Sequence, residues 1–191
     1  LQIQNIANLV RLEARNRNVE GKNEVTIRDL VKSALRMRPD RIIVGEIRDS
    51  AAIDLLTAMN TGHDGSLTTV HANSAADAVS RLETLVLMSG MDLPLVAIRS
   101  QIASAVDVII QTARQSDGSR KIISITEVLG LDGNGCPDLR EIFRFRLTGL
   151  EPETHKVLGV FEPVTVPSFL PQLKLAGIPV EDAWFRGKEA K

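Results

Sequence analysis

The sequence lacks the features that mark secreted and membrane-spanning proteins. It contains one cysteine, Cys136, so no disulfide can form within the chain, and a reducing compartment is the simpler interpretation. No apolar run approaches the roughly 20 residues that span a bilayer. The amino terminus also lacks the basic and then apolar pattern of a signal peptide. These absences predict a cytoplasmic protein.

The sequence also lacks an excess of charge of either sign. A net charge of -1 gives no general electrostatic attraction to nucleic acid or to a membrane surface, so we expect neither nucleic-acid binding nor membrane insertion. Hydrophobic residues make up 43% of the chain and charged residues 25%, as in ordinary globular domains. With 191 residues the chain is long enough for one domain with a proper core and a small appendage.

The stretch 38–49 carries the strongest signal. Residues 42–44 are β-branched and apolar, which predicts a short, fully buried strand, and Glu46 follows at its carboxyl end. Ligands bind at that edge of an open parallel sheet. Because Arg48 and Asp49 add further charge where buried strands normally avoid it, we interpret the acid as part of a site. A solvated acid at a strand end is the alternative.

Short strands alternate with capped helices along the first 105 residues. The predicted helices begin at residues with N-cap side chains: Thr26, Ser50 and Ser74. Residues 66–70 predict a second strand, which ends at His71. Repeated strand and helix units favour an α/β fold with a mostly parallel sheet.

Beyond residue 105 the pattern changes to strands joined by glycine-containing turns, which predicts antiparallel pairing. The predicted strands are 106–112, 121–131, 139–147 and 157–161. A helix is predicted at 169–176. We therefore divide the chain into a core, 1–130, and a C-terminal appendage of a strand hairpin and helices, 131–191.

Arginines are concentrated in the first fifty residues, around the predicted site strand. They are Arg11, Arg15, Arg36, Arg38 and Arg48. The first two lie in a strand-like stretch, 9–15, where they would share one face. Planar guanidinium groups suit polyphosphate better than zinc. A charged solvent face is the alternative.

Glu46 and His71 are expected side by side on one sheet edge, with His63 in the loop that enters the second strand. Three chemistries fit these residues: binding of a nucleoside triphosphate with magnesium, a metal site of two histidines and a carboxylate, and acid-base catalysis on a small substrate. The histidines flank a strand and do not share a helical turn, which is not the spacing of helical metal motifs.

Two long motifs, residues 35–49 and 61–73, resemble the atypical Walker B motif and the histidine box of the secretion ATPase superfamily. That superfamily powers type II and type IV secretion, type IV pili and tight-adherence pili. The Gly45-Glu46 pair is distinctive, because ordinary Walker B strands end in two acids. The ending at 72–74 and the continuation through 177–178 are most similar to the tight-adherence branch, with the conjugative type IV secretion branch next.

The resemblance implies a RecA-like core that binds ATP and Mg²⁺. Glu46 would help to hold the hydrated magnesium and polarise the attacking water, and His71 would contact the terminal phosphate, with His63 supporting it. Arg11 and Arg15 could line a nucleotide site across a subunit boundary. The resemblance also implies a homohexameric ring that acts on an inner-membrane platform protein. This ring would be peripheral at the inner face of a bacterial or archaeal cytoplasmic membrane.

One motif of that superfamily is missing. The phosphate-binding pattern G-x-x-x-x-G-K-S/T does not occur in the chain. We therefore expect the C-terminal portion of such an ATPase, truncated after its phosphate-binding loop, which alone binds ATP weakly and hydrolyses essentially none. The alternatives are a scaffold that docks onto ring partners without a phosphate-binding loop, and a metal-dependent hydrolase that uses His63, His71 and Glu46.

Overall fold

The computed structural model, which describes residues 3 and 6–185, contains one parallel and one antiparallel sheet. The parallel sheet pairs β1 (Ile43–Val44) with β2 (Leu67–Thr68). The antiparallel sheet contains β3 (Val108–Arg114), β4 (Arg120–Leu131), β5 (Pro137–Leu150) and β6 (Val157–Pro163), in that order. The predicted strands beyond residue 105 are confirmed, with bounds shifted by a few residues.

Helices within the first 105 residues connect and cover the parallel strands, and further helices follow the antiparallel sheet. They are α1 (Ile27–Leu35), α2 (Ala51–Met59), α3 (Ala75–Leu87), α4 (Leu95–Ala105) and α5 (Leu170–Leu175), followed by a 3-10 helix at Asp182–Phe185. Thr26 and Ser74 cap α1 and α3 as predicted, since each side chain accepts a hydrogen bond from the third residue of its helix. Ser50 occupies the N-cap position of α2 as predicted, but its side chain makes no cap hydrogen bond. The Asp49 carboxylate takes that role, accepting from the Ala51 N–H at 2.8 Å.

The hydrophobic core lies between β1 and the helices α1 to α4. Its most deeply buried large side chains include Leu55, Leu85, Ile98 and Ile102. Full burial of one such side chain contributes roughly 1.5–3 kcal/mol, so these helices hold the short parallel strands firmly. The two-residue strands are therefore positioned by their packing more than by their own ladder.

Within residues 3 and 6–185, the parallel strands are covered on one face only. Ile42 and Val44 are each 7% exposed, whereas Ile43 is 37% exposed and its ladder partner Leu67 is 60% exposed. The predicted full burial of the first strand is wrong. Side chains alternate between the faces of a strand, and among the described residues the helices pack on one of those faces.

The amino-terminal stretch 9–15 forms no strand, contrary to the prediction. Its backbone makes one isolated antiparallel bridge, between Arg15 and Val25. A strand needs a continuous partner, and the described residues supply only that one pair. The predicted division after residue 130 falls at the end of β4 and stays a prediction. Among residues 3 and 6–185, no helix combines the length and apolar character needed to cross a membrane.

Candidate functional site

The parallel pairing continues past the strands and brings their carboxyl ends together. The Ile47 N–H donates to the Thr69 carbonyl at 3.0 Å, and the Thr69 hydroxyl donates to the Gly45 carbonyl at 2.6 Å. These bonds fix the backbone on either side of Glu46. The structure therefore places Glu46 next to His71, while their catalytic roles stay predictions.

Each carboxylate oxygen of Glu46 has one polar partner. His71 Nε2 lies 2.9 Å from Oε1, and Arg48 Nη2 lies 2.5 Å from Oε2. Because a carboxylate only accepts hydrogen bonds, Nε2 carries the proton that points at Glu46. The Glu46 side chain is 21% exposed and the His71 side chain 90% exposed, so the imidazole is accessible to a ligand.

The surroundings of Glu46 keep it ionised. The hydrogen bond from Arg48 lowers the pKa of Glu46 most, and the charges of Arg48 and His71 lower it further, against partial burial that raises it. The same carboxylate raises the pKa of Arg48. At neutral pH the site therefore offers one carboxylate that accepts hydrogen bonds and a charged guanidinium that donates them.

Two adjoining shallow cavities open at this edge of the sheet, and they share His71 and Arg81. One, of about 400 Å³, is lined by residues 46–48 with the shared pair. The other, of about 260 Å³, runs along the polar side of α3. Arg81 adds a second guanidinium to the lining of the cavity that contains Glu46, and the sequence did not point to it. Its signal was the run of polar residues at helical spacing on α3, which includes Asp77, Ser80 and Thr84.

The predicted site residues before β1 and β2 lie at the opposite strand ends from Glu46. Arg36 caps the carboxyl end of α1, and Arg38 follows it before β1 begins. His63 precedes β2, and its Nδ1 lies 3.1 Å from the Ala58 carbonyl. Of the predicted site residues outside the amino-terminal stretch, those brought together in the described structure are Glu46, Arg48 and His71.

Arg11 and Arg15 find partners within the amino-terminal stretch. Arg11 donates to the Ile3 carbonyl at 2.7 Å, and Arg15 donates to the Asn23 carbonyl at 2.8 Å. Both side chains are exposed, so they can meet another molecule. In the described structure the polar partners of Glu46 are Arg48 and His71, not these two arginines.

The residues at this site could bind magnesium only if water and phosphate oxygens supply the other ligands. Mg²⁺ prefers six oxygens, keeps several waters, and is usually held by one or two carboxylates together with substrate phosphates. Glu46 supplies one such carboxylate. No group of three His, Cys, Asp or Glu side chains in residues 3 and 6–185 is arranged to hold a metal ion alone. The geometry therefore gives no support to a metal-dependent hydrolase built from His63, His71 and Glu46.

Comparison with known proteins points in the same direction as the motifs. Residues 5–149 match the family model described as type II/IV secretion system protein. The chain is 48% identical over 125 residues to a putative conjugal transfer protein of Mycobacterium tuberculosis, covering 65% of this chain and 35% of that protein. It is 43% identical over 108 residues to the type IV secretion system protein VirB11 of Bartonella henselae, covering 56% and 30%.

A solved structure is also similar. The VirB11 ATPase of the Brucella suis type IV secretion system, in complex with sulphate, matches with a TM-score of 0.51 and 36% identity over 54% of this chain and 32% of that one. The predicted fold class is confirmed: a RecA-like α/β core followed by antiparallel strands and short helices. The chain spans about a third of the length of these relatives.

Proposed function

The chain belongs to the type II/IV secretion system protein family, and on that premise we propose that it is the C-terminal part of an ATPase that drives pilus assembly or protein export. The observation that carries the proposal is the contact of Glu46 with His71 and Arg48 at the carboxyl ends of parallel strands. A triphosphate placed at this edge would meet an ionised acid, a histidine and the two arginines of the shared cavities.

We assign the roles from the atoms that each side chain presents. Glu46 accepts a hydrogen bond from the attacking water and polarises it, and its carboxylate would help to hold the hydrated magnesium of a bound nucleotide. That magnesium, when bound, neutralises charge on the phosphate oxygens. His71 transfers its Nε2 hydrogen bond from Glu46 to the terminal phosphate. Arg48 and Arg81 supply charge to the phosphates.

The other predicted site residues belong to wider parts of the proposal. His63 supports the histidine box through its contact with the end of α2. Arg11 and Arg15 are exposed and reach a nucleotide across a subunit boundary. Arg36 and Arg38 lie at the amino end of β1, where they add positive charge to the surface without contacting Glu46.

The assembly is proposed on the same family grounds. We infer a homohexameric ring that is peripheral at the inner face of the cytoplasmic membrane, where it acts on a platform protein of the inner membrane. The relatives named above are conjugal transfer and type IV secretion proteins, the branch placed second by the sequence motifs. The tight-adherence branch rests on the motif endings at 72–74 and 177–178.

The first experiment compares ATP turnover by this chain with turnover by the protein made from the complete reading frame. The intact mass of the second protein is measured beforehand, to establish its length. The 191-residue chain contains no G-x-x-x-x-G-K-S/T pattern, so we expect essentially no turnover from it. We expect turnover from a longer protein, falling by about 100-fold or more in the Glu46→Gln variant, because the amide is a poor base.

A matched control is Glu162→Gln in β6. Glu162 is also partly exposed and paired with an arginine, Arg146, but it lies in the antiparallel sheet. We expect this variant to keep the parent's turnover. Robust hydrolysis by the 191-residue chain, or equal turnover of the parent and Glu46→Gln, would refute the proposal. Ring assembly without nucleotide, and without turnover, would favour the scaffold alternative.

A further inference from the structure

The loop between β2 and α3 carries His71, and its backbone has a partner outside the parallel sheet. The imidazole is 90% exposed, so packing does not fix its position, and it is held by its contact with Glu46 and by the backbone beneath it. The carbonyl of the next residue, Ala72, accepts a 2.8 Å hydrogen bond from the side-chain amide nitrogen of Gln111. Because a carbonyl only accepts, the amide must present its nitrogen here.

Gln111 reaches this loop from the antiparallel sheet. It lies in the edge strand β3, opposite Ser124 of β4, and the strand register shifts directly after it, at Thr112. The residues before it, 108–110, are all apolar. A half-buried amide in such a strand is costly unless it is hydrogen-bonded. Its short bond goes to the His71 loop, and its contact with the Thr112 carbonyl of its own strand is longer, at 3.4 Å.

We propose that Gln111 is a positioning residue for His71. Its amide fixes the Ala72 carbonyl and so ties the histidine to the antiparallel sheet. The inference rests on the proposed ATPase function, because it assumes that His71 meets the terminal phosphate. Without the amide, the loop keeps its anchors in the ladder at Thr69 and at the cap of α3, but the peptide between them loses its tie to β3.

The effect is expected in kcat and not in substrate binding. In Gln111→Met the side chain keeps its length and loses the donor. In the protein made from the complete reading frame, we expect kcat to fall about 10- to 100-fold, because a shift of roughly 1 Å at a reacting group costs this much. We expect KM for ATP to change by less than about threefold, since a group that acts in the transition state affects kcat. Gln111→Glu keeps the shape of the side chain and replaces the donor by an acceptor, so we expect its kcat to fall as far as that of Gln111→Met.

The matched control is Gln101→Met. Gln101 lies in α4 and donates its amide to the Thr57 hydroxyl at 3.0 Å, away from the His71 loop. We expect this variant to keep the parent's kcat. If Gln101→Met falls as far as Gln111→Met, the loss reflects general stability and the proposal is wrong. A kcat unchanged in Gln111→Met also overturns it.

A second readout separates this proposal from the proposed function. In NMR spectra of the 191-residue chain, the Ala72 carbonyl ¹³C signal should shift and the His71 ring should become more mobile in Gln111→Met. These changes need no ATP turnover. If the complete protein shows no hydrolysis while the NMR changes occur, the ATPase proposal fails, but the part of the inference that Gln111 positions the His71 loop stands. If Gln111→Met leaves both signals unchanged, the positioning role fails.

Discussion

The buried carboxylate of Glu127 offers the sharpest test of how the C-terminal segment is held. Glu127 lies in β4 and is 2% exposed. It accepts hydrogen bonds from the Ser168 N–H at 3.0 and 3.1 Å, from the Ser168 hydroxyl, and from Arg140 of β5 at 2.9 Å. It therefore joins two strands of the antiparallel sheet to the loop before α5. We consider the variant Glu127→Ala, which removes all of these bonds.

The expected cost follows from what the substitution leaves behind. Removing one partner of a buried ion pair typically costs about 3–5 kcal/mol, because the other charge is left unpaired. The Arg140 side chain is 36% exposed and Ser168 is exposed, so water can partly replace the lost partner. We therefore expect about 3 kcal/mol, at the lower end of that range. For a chain of this size that lowers Tm by roughly 6–12 °C.

The assay is thermal and urea unfolding of this chain, followed by circular dichroism. Glu162→Ala is the control, because Glu162 also pairs with an arginine of β5 but both of these partners are far more exposed than Glu127. We expect that variant to cost about 0–1 kcal/mol. A cost for Glu127→Ala no larger than that for Glu162→Ala would refute the view that burial makes the first carboxylate important.

Two further predictions concern loops. The hydrogen bonds from Ser119 and Val157 lower the pKa of Asp117 from 3.8 to about 2. Ionised Asp117 therefore stabilises the fold above about pH 4, and this contribution is lost as pH falls towards 2. Asp117→Asn should have a lower Tm than the parent at about pH 6, and this difference in Tm should become smaller near pH 2. A difference in Tm that stays constant with pH would contradict this prediction. Gly65 has φ +78°, and an added Cβ would lie 2.6 Å from Arg41 Nε. Gly65→Ala should lower the free energy of unfolding in urea by about 1–2 kcal/mol. Adding Arg41→Ala to that variant should recover the part due to the close contact but not the part due to the positive φ. A urea midpoint of Gly65→Ala equal to that of the parent would contradict this prediction.

The starts of the helices were predicted well from sequence, because an N-cap is formed by residues that are close together in the chain. The Thr26 and Asp29 side chains each bond the other's backbone, and this reciprocal cap depends on sequence spacing alone. At the start of α2 the N-cap position was predicted, but not the side chain that makes the hydrogen bond, since Asp49 and Ser50 are both good capping residues and only geometry chooses between them. The stretch 9–15 alternated like a strand, but a strand also needs a partner, which its own sequence does not report.

The juxtaposition of Glu46 and His71 was predictable because parallel strands end at the same edge of a sheet. Arg81 was not predicted, because it enters the site from the side of a helix that follows the second strand. Gln111 was not predicted either, since its bond to Ala72 joins the antiparallel sheet to the loop that follows β2. Sequence reasoning thus found the residues that the strands place directly, and missed those brought in by tertiary packing.

The positions of the arginines bear directly on the proposed function. Arg38 and Arg48 are close in sequence, yet β1 separates them, so only Arg48 shares a cavity with Glu46. The number of arginines in a stretch of sequence is therefore a poor measure of the positive charge at a site. With Arg81, the cavity contains two arginines, one of them already paired with Glu46. Under the proposed function, a triphosphate carries more negative charge than these two arginines and its magnesium neutralise, so we expect further donors from a phosphate-binding loop or a neighbouring subunit. That shortage is a physical reason to expect no turnover from this chain alone.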